Sequence, residues 1–234
     1  MVAAAFPVKT ASAFIIPEKL VYDLTWTGVK AGTAVLELVN DKDTIRVIST
    51  ANSAPWVSVF YTVDDRVETI LVKDKSKIFV GQPKNYRLKI REGRHRRDKE
   101  IIFDQAGHRA VFIDHLGKDR KEFVIQEDVF DPLSVLYYVR TMKLTVGKSV
   151  YVDIFDSKKL WNVEVQVLRK ERISTIFGYT DTFVVKPLMK SEGIFNRKGE
   201  MFIWLTDDQK RIPVKMQTKV AVGAITATLT GGVY

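Results

Sequence analysis

The sequence contains no cysteine. This absence excludes disulfides, thiolate metal sites and a cysteine nucleophile together, although it does not fix the cellular compartment. Histidine is also scarce, because the chain carries only His95, His108 and His115. None of the three has the spacing of a metal site or a neighbouring nucleophile. We therefore interpret them as solvated loop residues and expect no metal and no cofactor.

Motifs for enzymatic chemistry are missing as well. The chain has no GxSxG, HExxH, phosphate-cradling glycine loop or dinucleotide fingerprint. Two acidic pairs, Asp64-Asp65 and Asp207-Asp208, raise the question of a glycosidase, which needs two carboxylates facing each other. Adjacent residues on a strand point to opposite faces, so neither pair alone forms that arrangement. A carboxylate hydrolase is the weakest hypothesis, and we expect a protein that is not an enzyme.

No stretch of the chain approaches the ~20 consecutive apolar residues of a transmembrane helix. Near the N-terminus, Ala11-Ser12-Ala13 has the small-x-small pattern of a signal-peptidase site, but the preceding apolar run is short and lacks basic residues. We interpret residues 1–13 as a signal-peptide remnant or a disordered N-terminus. Residues 14–234 are expected to form a single β-barrel-like domain.

The pattern that dominates the rest of the chain is alternation with a period of two. In the first such segment, Leu20, Tyr22, Leu24 and Trp26 share one face. About a dozen short segments of this kind follow without regularly interspersed helices, which favours antiparallel over βαβ architecture. We predict a mainly β fold, either a single antiparallel β-barrel or a strongly curved sheet.

Two helices interrupt the strands. The stronger prediction covers residues 131–142, where Asp131 provides an N-cap, Pro132 suits the first helical position, and the following residues are mostly apolar. Such a helix should be buried on several sides. A short helix is predicted near 54–61. Because a barrel of about ten or more strands is too wide for its own side chains to fill, either the longer helix or a ligand cavity must occupy the interior.

Arg140 is a charge on this otherwise apolar helix. A buried arginine needs a carboxylate partner, so we predict a structural ion pair. The candidate partners are Asp64, Asp65, Asp207 and Asp208.

The most unusual surface feature is a basic ribbon in a predicted hairpin. We expect it to contact an anionic surface, either lipid headgroups or an envelope glycan, where each basic side chain contributes on the order of 1 kcal/mol. The alternative is that its charges only keep the hairpin from aggregating. Nucleic acid is disfavoured because no aromatic residues are interleaved for base stacking. The basic ribbon consists of Arg87, Lys89, Arg91, Arg94, Arg96, Arg97 and Lys99.

Several segments together resemble an exported bacterial protein family, the domain-of-unknown-function family 3108. They are PEKLVYDLTWTGVKAGTAVLEL, S-x-x-W-V-S-x-F-Y-x-V-D-D-R from Ser53 to Arg66, RRDKEIIFD, FDPLSVLYYVR and IWLTDDQKRIPVKMQTKVAVGAITATL. The resemblance spans Pro17 to Leu229 and implies a β-rich periplasmic or secreted protein, without an established reaction. The shorter pattern W-L-x-D-D-x-x-R-x-P-V, Trp204–Val214, is similar to periplasmic lipoprotein carriers of the LolA kind, which hold acyl chains inside an open barrel.

The leading hypothesis is a non-enzymatic protein of the periplasm or cell envelope that binds a lipid or other amphiphilic ligand inside a β-barrel. The alternative is a structural or interaction module in envelope assembly or polysaccharide handling, with a packed core. Oligomeric state is left open. The predicted ligand-binding interior residues are Tyr22, Trp26, Trp56, Phe60, Leu136, Tyr137, Trp204 and Met216.

Overall fold

A computed structural model describes residues 15–73, 81–188, 200–219 and 222–234. The predicted N-terminal segment 1–13 lies outside these residues. The described residues form two short helices and one antiparallel sheet of fourteen strands. The helices are α1 (Pro55–Ser58) and α2 (Ser134–Thr141). The strands are β1 (Glu18–Trp26), β2 (Val29–Asp41), β3 (Thr44–Ser53), β4 (Asp64–Val72), β5 (Gln82–Glu92), β6 (His95–Asp104), β7 (Arg109–Asp114), β8 (Asp119–Val124), β9 (Ser149–Asp156), β10 (Lys159–Thr175), β11 (Gly178–Pro187), β12 (Met201–Thr206), β13 (Pro213–Lys219) and β14 (Ala224–Val233).

The sheet consists of two meanders joined by their first and last strands. Its order runs from β8 back to β1, then from β14 back to β9. The join is the antiparallel pairing of β1 with β14, which brings the two ends of the described chain together. The prediction of a mainly β, antiparallel, curved architecture is confirmed. The sheet is not closed, because β8 and β9 at its two edges are not hydrogen-bonded to each other.

Side chains span the gap between these two edge strands. The rings of Phe123 on β8 and Phe155 on β9 lie 5.3 Å apart. Close to the β9–β10 turn, Lys158 pairs with Asp119 at the start of β8, at 2.6 Å. Phe130 adds a parallel bridge to β9. Apolar contacts and an ion pair therefore link β8 and β9, the two edge strands, in place of backbone hydrogen bonds between them.

Both predicted helices are present, with shorter bounds. The first lies within the expected 54–61 segment, and the second begins three residues after Asp131, since residues 131–133 form a turn. The residue directly before the helix is Leu133, so Asp131 is not its N-cap as predicted, although the Asp131 Oδ1 accepts the N–H groups of Leu133 and Ser134 at 2.8 and 2.9 Å.

Arg140 of α2 forms a buried ion pair, but with Glu18 rather than with any of the four predicted aspartates. Its two terminal nitrogens donate to the two carboxylate oxygens of Glu18 at 2.7 and 2.6 Å. The carbonyl of Lys210, between β12 and β13, accepts from the Arg140 Nε at 3.1 Å. Glu18 and Leu20 are two residues apart on β1 and therefore lie on the same face of the strand. The Glu18 carboxylate thus points into the core, as the Leu20 side chain does.

We predict that this ion pair stabilises the fold as a unit. Replacing Arg140→Met or Glu18→Met alone should each lower the free energy of unfolding by about 3–5 kcal/mol, because either change leaves a buried charge without its partner. The double variant should lose clearly less than the sum. Urea denaturation of the four proteins measures the coupling, and strictly additive losses would contradict it.

Candidate functional site

An apolar cavity of about 230 Å³ lies between α2 and the concave face of the sheet. The helix contributes Val135, Leu136 and Val139 to its wall. The facing strands belong to both meanders, so the cavity lies across the join between them. Their contributions include Tyr22, Ala34, Leu36, Ser49, Val152, Ile154, Val163, Val165, Val185, Ile203, Leu205 and Met216.

The cavity exists because inward side chains become smaller along two neighbouring strands. On β2 the inward series runs from Leu38 and Leu36 to Ala34, which lines the cavity. Ser49 pairs with Leu36 from the adjacent β3 and is small as well. Leucine side chains fill the interior at one end of the sheet. Toward the other end the smaller side chains leave part of the interior empty.

The wall offers apolar contact and few polar groups. None of the described lining residues is charged, and Tyr22 and Ser49 carry its only side-chain hydroxyls. The Tyr22 hydroxyl already donates to the carbonyl of Pro213 at 2.8 Å, so the residue presents mainly its ring. Such a wall suits an apolar chain or ring and provides no acid–base pair.

The size of the cavity limits what it holds. Its volume of about 230 Å³ exceeds the ~150 Å³ of an engineered cavity that binds benzene. It is smaller than the ~300–1,000 Å³ of typical sites for drug-sized ligands. One short chain or one small ring fits this space, whereas a two-chain lipid does not fit within it.

The cavity reaches one particular end of the sheet. Met201 at the start of β12 and Pro187 at the end of β11 belong to its wall and are half-buried. Strand pairing links Met201 to Thr218, Thr218 to Ile225, and Ile225 to Trp26. The mouth therefore lies at the level of the β1–β2 hairpin, the same end at which α1 follows β3.

Asp131 anchors the beginning of α2 to the sheet. It is fully buried, and its Oδ1 accepts a hydrogen bond from the Thr69 hydroxyl of β4 at 2.8 Å. The Ser134 hydroxyl donates to Oδ2 at 2.6 Å. Burial raises the pKa of Asp131, and the hydrogen bonds from Ser134 and Thr69 only partly oppose this shift.

The structure brings three of the predicted interior residues to the cavity wall: Tyr22, Leu136 and Met216. Tyr137 is also buried, but it lies against Arg140, whose guanidinium carbon is 5.1 Å from the ring centre. Burial, together with the charge of Glu18, raises the pKa of Tyr137. Whether the three wall residues bind a ligand stays a prediction.

Trp204 is buried, yet it does not line the cavity. Its neighbours on β12, Ile203 and Leu205, point into the cavity, so Trp204 points to the opposite face. There the Lys215 ammonium lies 4.5 Å from the centre of its ring. Trp204 is buried, but its predicted place in the ligand-binding interior is wrong, because alternation does not tell which face of the sheet borders the empty space.

The predicted interior position is wrong for Trp26, Trp56 and Phe60. Their exposed fractions are 44%, 48% and 85%. Trp26 is the last paired residue of β1, and the other two lie in and after α1, so all three lie at the edge of the core, at one end of the sheet. At the last pair of a strand the core covers a side chain from one direction only, so inward parity does not ensure burial there.

The basic ribbon does not form one surface. Arg87, Lys89 and Arg91 share the outer face of β5 as expected, whereas Arg97 and Lys99 point inward from β6. They border a small internal pocket with Tyr86 and Asp156.

Part of the outer charge is also neutralised, because Arg87 forms a two-point contact with Asp98 at 3.0 and 3.1 Å. Contact with an anionic surface remains a prediction for the outward members Lys89, Arg91, Arg94 and Arg96.

The acidic pairs serve local structure. Asp208 accepts the N–H groups of Lys210 and Arg211 in the β12–β13 turn. Asp65 accepts the N–H of Arg91 at 2.9 Å. Within the described ranges, no group of three or more histidine, aspartate or glutamate side chains is arranged to hold a metal ion.

A larger surface cleft of about 520 Å³ lies at the opposite end of the sheet. Its lining includes Asp104, Glu127 and Asp128 together with Lys84. Clustered acids of this kind are common at strand ends and define no ligand by themselves, so the cavity under α2 is the better candidate site.

The fold and the cavity define a β-barrel-like protein with an apolar interior. The chain belongs to the family of proteins of unknown function DUF3108, which matches residues 21–230 and confirms the resemblance seen in the sequence. Its structure is similar to the crystal structure of a β-barrel-like protein of the domain of unknown function DUF1849 from Brucella abortus. The TM-score is 0.59 and the identity 11%, covering 94% of this chain and 98% of that one.

At this identity the structural similarity shows the fold alone. No curated protein matches the chain in sequence. The similarity of Trp204–Val214 to lipoprotein carriers stays a prediction. Within the described residues, no helix is long and apolar enough to cross a membrane.

The anchoring role of Asp131 gives a direct test. Asp131→Ala should lower the free energy of unfolding by about 2–4 kcal/mol, because the buried Thr69 hydroxyl and two backbone N–H groups lose their acceptor. Asp131→Asn keeps an acceptor oxygen and should lose much less. Urea denaturation measures both, and equal losses would contradict the assigned contacts.

The pH dependence of this comparison has a defined sign. The folded-state pKa of Asp131 is raised, so the folded protein holds this proton more tightly than the unfolded chain does. Stability from this group is complete below the unfolded pKa and is lost as pH rises through the folded pKa. The wild type should therefore lose stability relative to Asp131→Asn across that window. A difference independent of pH would contradict the raised pKa.

Proposed function

We propose that this protein binds a single-chain amphiphile, with the apolar chain in the cavity between α2 and the concave face of the sheet. The observation that carries the proposal is an uncharged cavity of about 230 Å³ whose wall reaches one end of the sheet at Pro187 and Met201. An apolar chain gains free energy by leaving water for such a site. A charged group does not, unless it finds a partner there.

The polar end of the ligand would lie at the mouth, near Pro187 and Met201. This orientation leaves the head group hydrated while the chain contacts Val135 and Val139 of the helix. Each buried methylene contributes about 0.8 kcal/mol. Affinity for straight-chain carboxylates should therefore rise with chain length and level off when the cavity is full.

The alternative, an interaction module with a packed core, requires the interior to be filled by side chains. The cavity favours ligand binding over this alternative. The proposed setting is the periplasm or outer cell envelope, supported by the export associated with the family and by Ala11-Ser12-Ala13. Fractionation of cells that produce the full-length protein tests this location independently of the ligand.

Filling the cavity should abolish binding. Ala34→Phe places a ring in the space beneath α2, and we expect its affinity for decanoate to fall at least about tenfold, a loss of about 1.4 kcal/mol or more. The matched control is Thr33→Phe, because Thr33 is the adjacent, exposed residue of the same strand. Titration calorimetry measures both variants against the wild type.

Two results would contradict the proposal. One is unchanged decanoate binding in Ala34→Phe, which would place the ligand elsewhere. The other is an affinity of the wild type that does not depend on chain length. Thermal denaturation of each variant, without ligand, verifies that it is folded before its binding is compared.

A further inference from the structure

A row of exposed apolar side chains follows the cavity-mouth end of the sheet. We call it the aromatic edge. Its residues have exposed fractions between 42% and 85%, and they come from the β1–β2 hairpin, α1 and the residues after α1. Contiguous apolar patches of this kind mark interaction sites in soluble proteins. The aromatic edge consists of Trp26, Val29, Trp56, Val59, Phe60 and Tyr61.

Hydrogen bonds hold the segments of the aromatic edge side by side. The Trp56 indole N–H donates to the carbonyl of Lys30 at 3.0 Å, which ties α1 to β2. The Trp26 indole N–H donates to the carbonyl of Val222 at 2.9 Å. Since both indole N–H groups are satisfied within the protein, the exposed remainder of each side chain is apolar ring.

The β5–β6 turn continues the row on its basic side. The N–H of Gly93 donates to the carbonyl of Thr62 at 2.8 Å, which places the turn next to Tyr61. A side chain at Gly93 would collide with the Tyr61 ring, because a Cβ there would lie 2.8 Å from it. Glycine at this turn therefore permits the aromatic edge and the basic turn to meet.

The turn brings positive charge to this junction. Arg91, Arg94 and Arg96 are exposed around it. The nearby acids are Glu92, Asp64 and Asp65. Lys89 is exposed on the same face of β5 as Arg91, so four basic side chains face three carboxylates here, and the junction favours an anionic partner.

We propose that the aromatic edge and the adjacent arginines dock this protein on a bilayer surface that contains anionic lipid. Tryptophan and tyrosine rings are enriched at the membrane interface, where one part of the ring is apolar and the other is wet. Arginines beside them would contact lipid phosphates. A second copy of the chain is a poorer fit, because it would bring like-charged arginines together on a protein of net charge +9.

Docking does not require that the cavity bind a ligand, so this inference stands apart from the proposed function. The two are linked only by position, since the cavity mouth lies at the same end of the sheet. A protein docked in this way would face the bilayer with the mouth.

The test is flotation with vesicles of phosphatidylcholine alone or mixed with phosphatidylglycerol. We expect the wild type to float only with the anionic vesicles, and less so as salt rises. Arg94→Glu combined with Arg96→Glu should weaken binding at least about 25-fold, from about fivefold for each basic residue lost. Phe60→Ser should also weaken it, by removing the most exposed ring of the edge.

The controls lie at the other end of the sheet. Arg109→Glu combined with Arg172→Glu changes the total charge equally, and Tyr179→Ser removes a ring that is 75% exposed. Both should bind anionic vesicles as the wild type does.

Failure of the wild type to float, or equal losses in the controls, would overturn the proposal. So would loss on charge reversal with no effect of Phe60→Ser, because that pattern describes a soluble anionic polymer rather than a bilayer. Decanoate titration of the edge variants without vesicles keeps the two proposals separable, since cavity binding should be unchanged there.

Discussion

The position of α2 inside the curved sheet depends on buried polar contacts near its two ends. Asp131 joins its beginning to Thr69 of β4, and Arg140 joins its last turn to Glu18 of β1. Apolar packing is non-directional and would tolerate several positions of so short a helix. Hydrogen-bonded buried groups do not, because any other position leaves a polar atom unsatisfied. The cavity is the space that remains once the helix is fixed there.

Alternation predicted the antiparallel sheet because each strand has one face toward the core and one toward solvent. The same rule identified Tyr22 as a wall residue, and the apolar run after Pro132 identified Leu136. Alternation does not show where the core ends along a strand, so Trp26 was expected inside, but it is exposed at the last pair of β1. It also gives no measure of empty volume. The decrease in size from Leu36 to Ala34 is the signal in the sequence for this empty volume.

Glu18 shows a second limit. Glu18 lies on the same face of β1 as Leu20 and Tyr22, so the alternation predicts that its carboxylate points inward. A buried carboxylate needs a partner. Pairing it with Arg140 requires knowing that β1 lies beside the end of α2. Glu18 and Arg140 are 122 residues apart in the sequence. Contacts at such distance come from topology, and a single sequence does not determine the order of fourteen strands.

The division of chemistry within the molecule supports a binding role. The charged groups that point inward, Glu18, Arg140, Asp131, Arg97 and Lys99, lie outside the described cavity wall, which carries no charge. The exposed rings and arginines lie at the mouth end. An amphiphile that enters from an interface would meet these features in order, first charge, then rings, then the apolar interior.

The most direct measurement is an NMR experiment on protein with labelled methionine methyl groups in the presence of decanoate. Met201 and Met216 line the cavity, whereas Met142 lies outside it against the core. Ligand in the cavity predicts intermolecular nuclear Overhauser effects from the decanoate chain to Met201 and Met216, and none to Met142. Saturating decanoate without effects at Met201 and Met216 would contradict binding beneath α2.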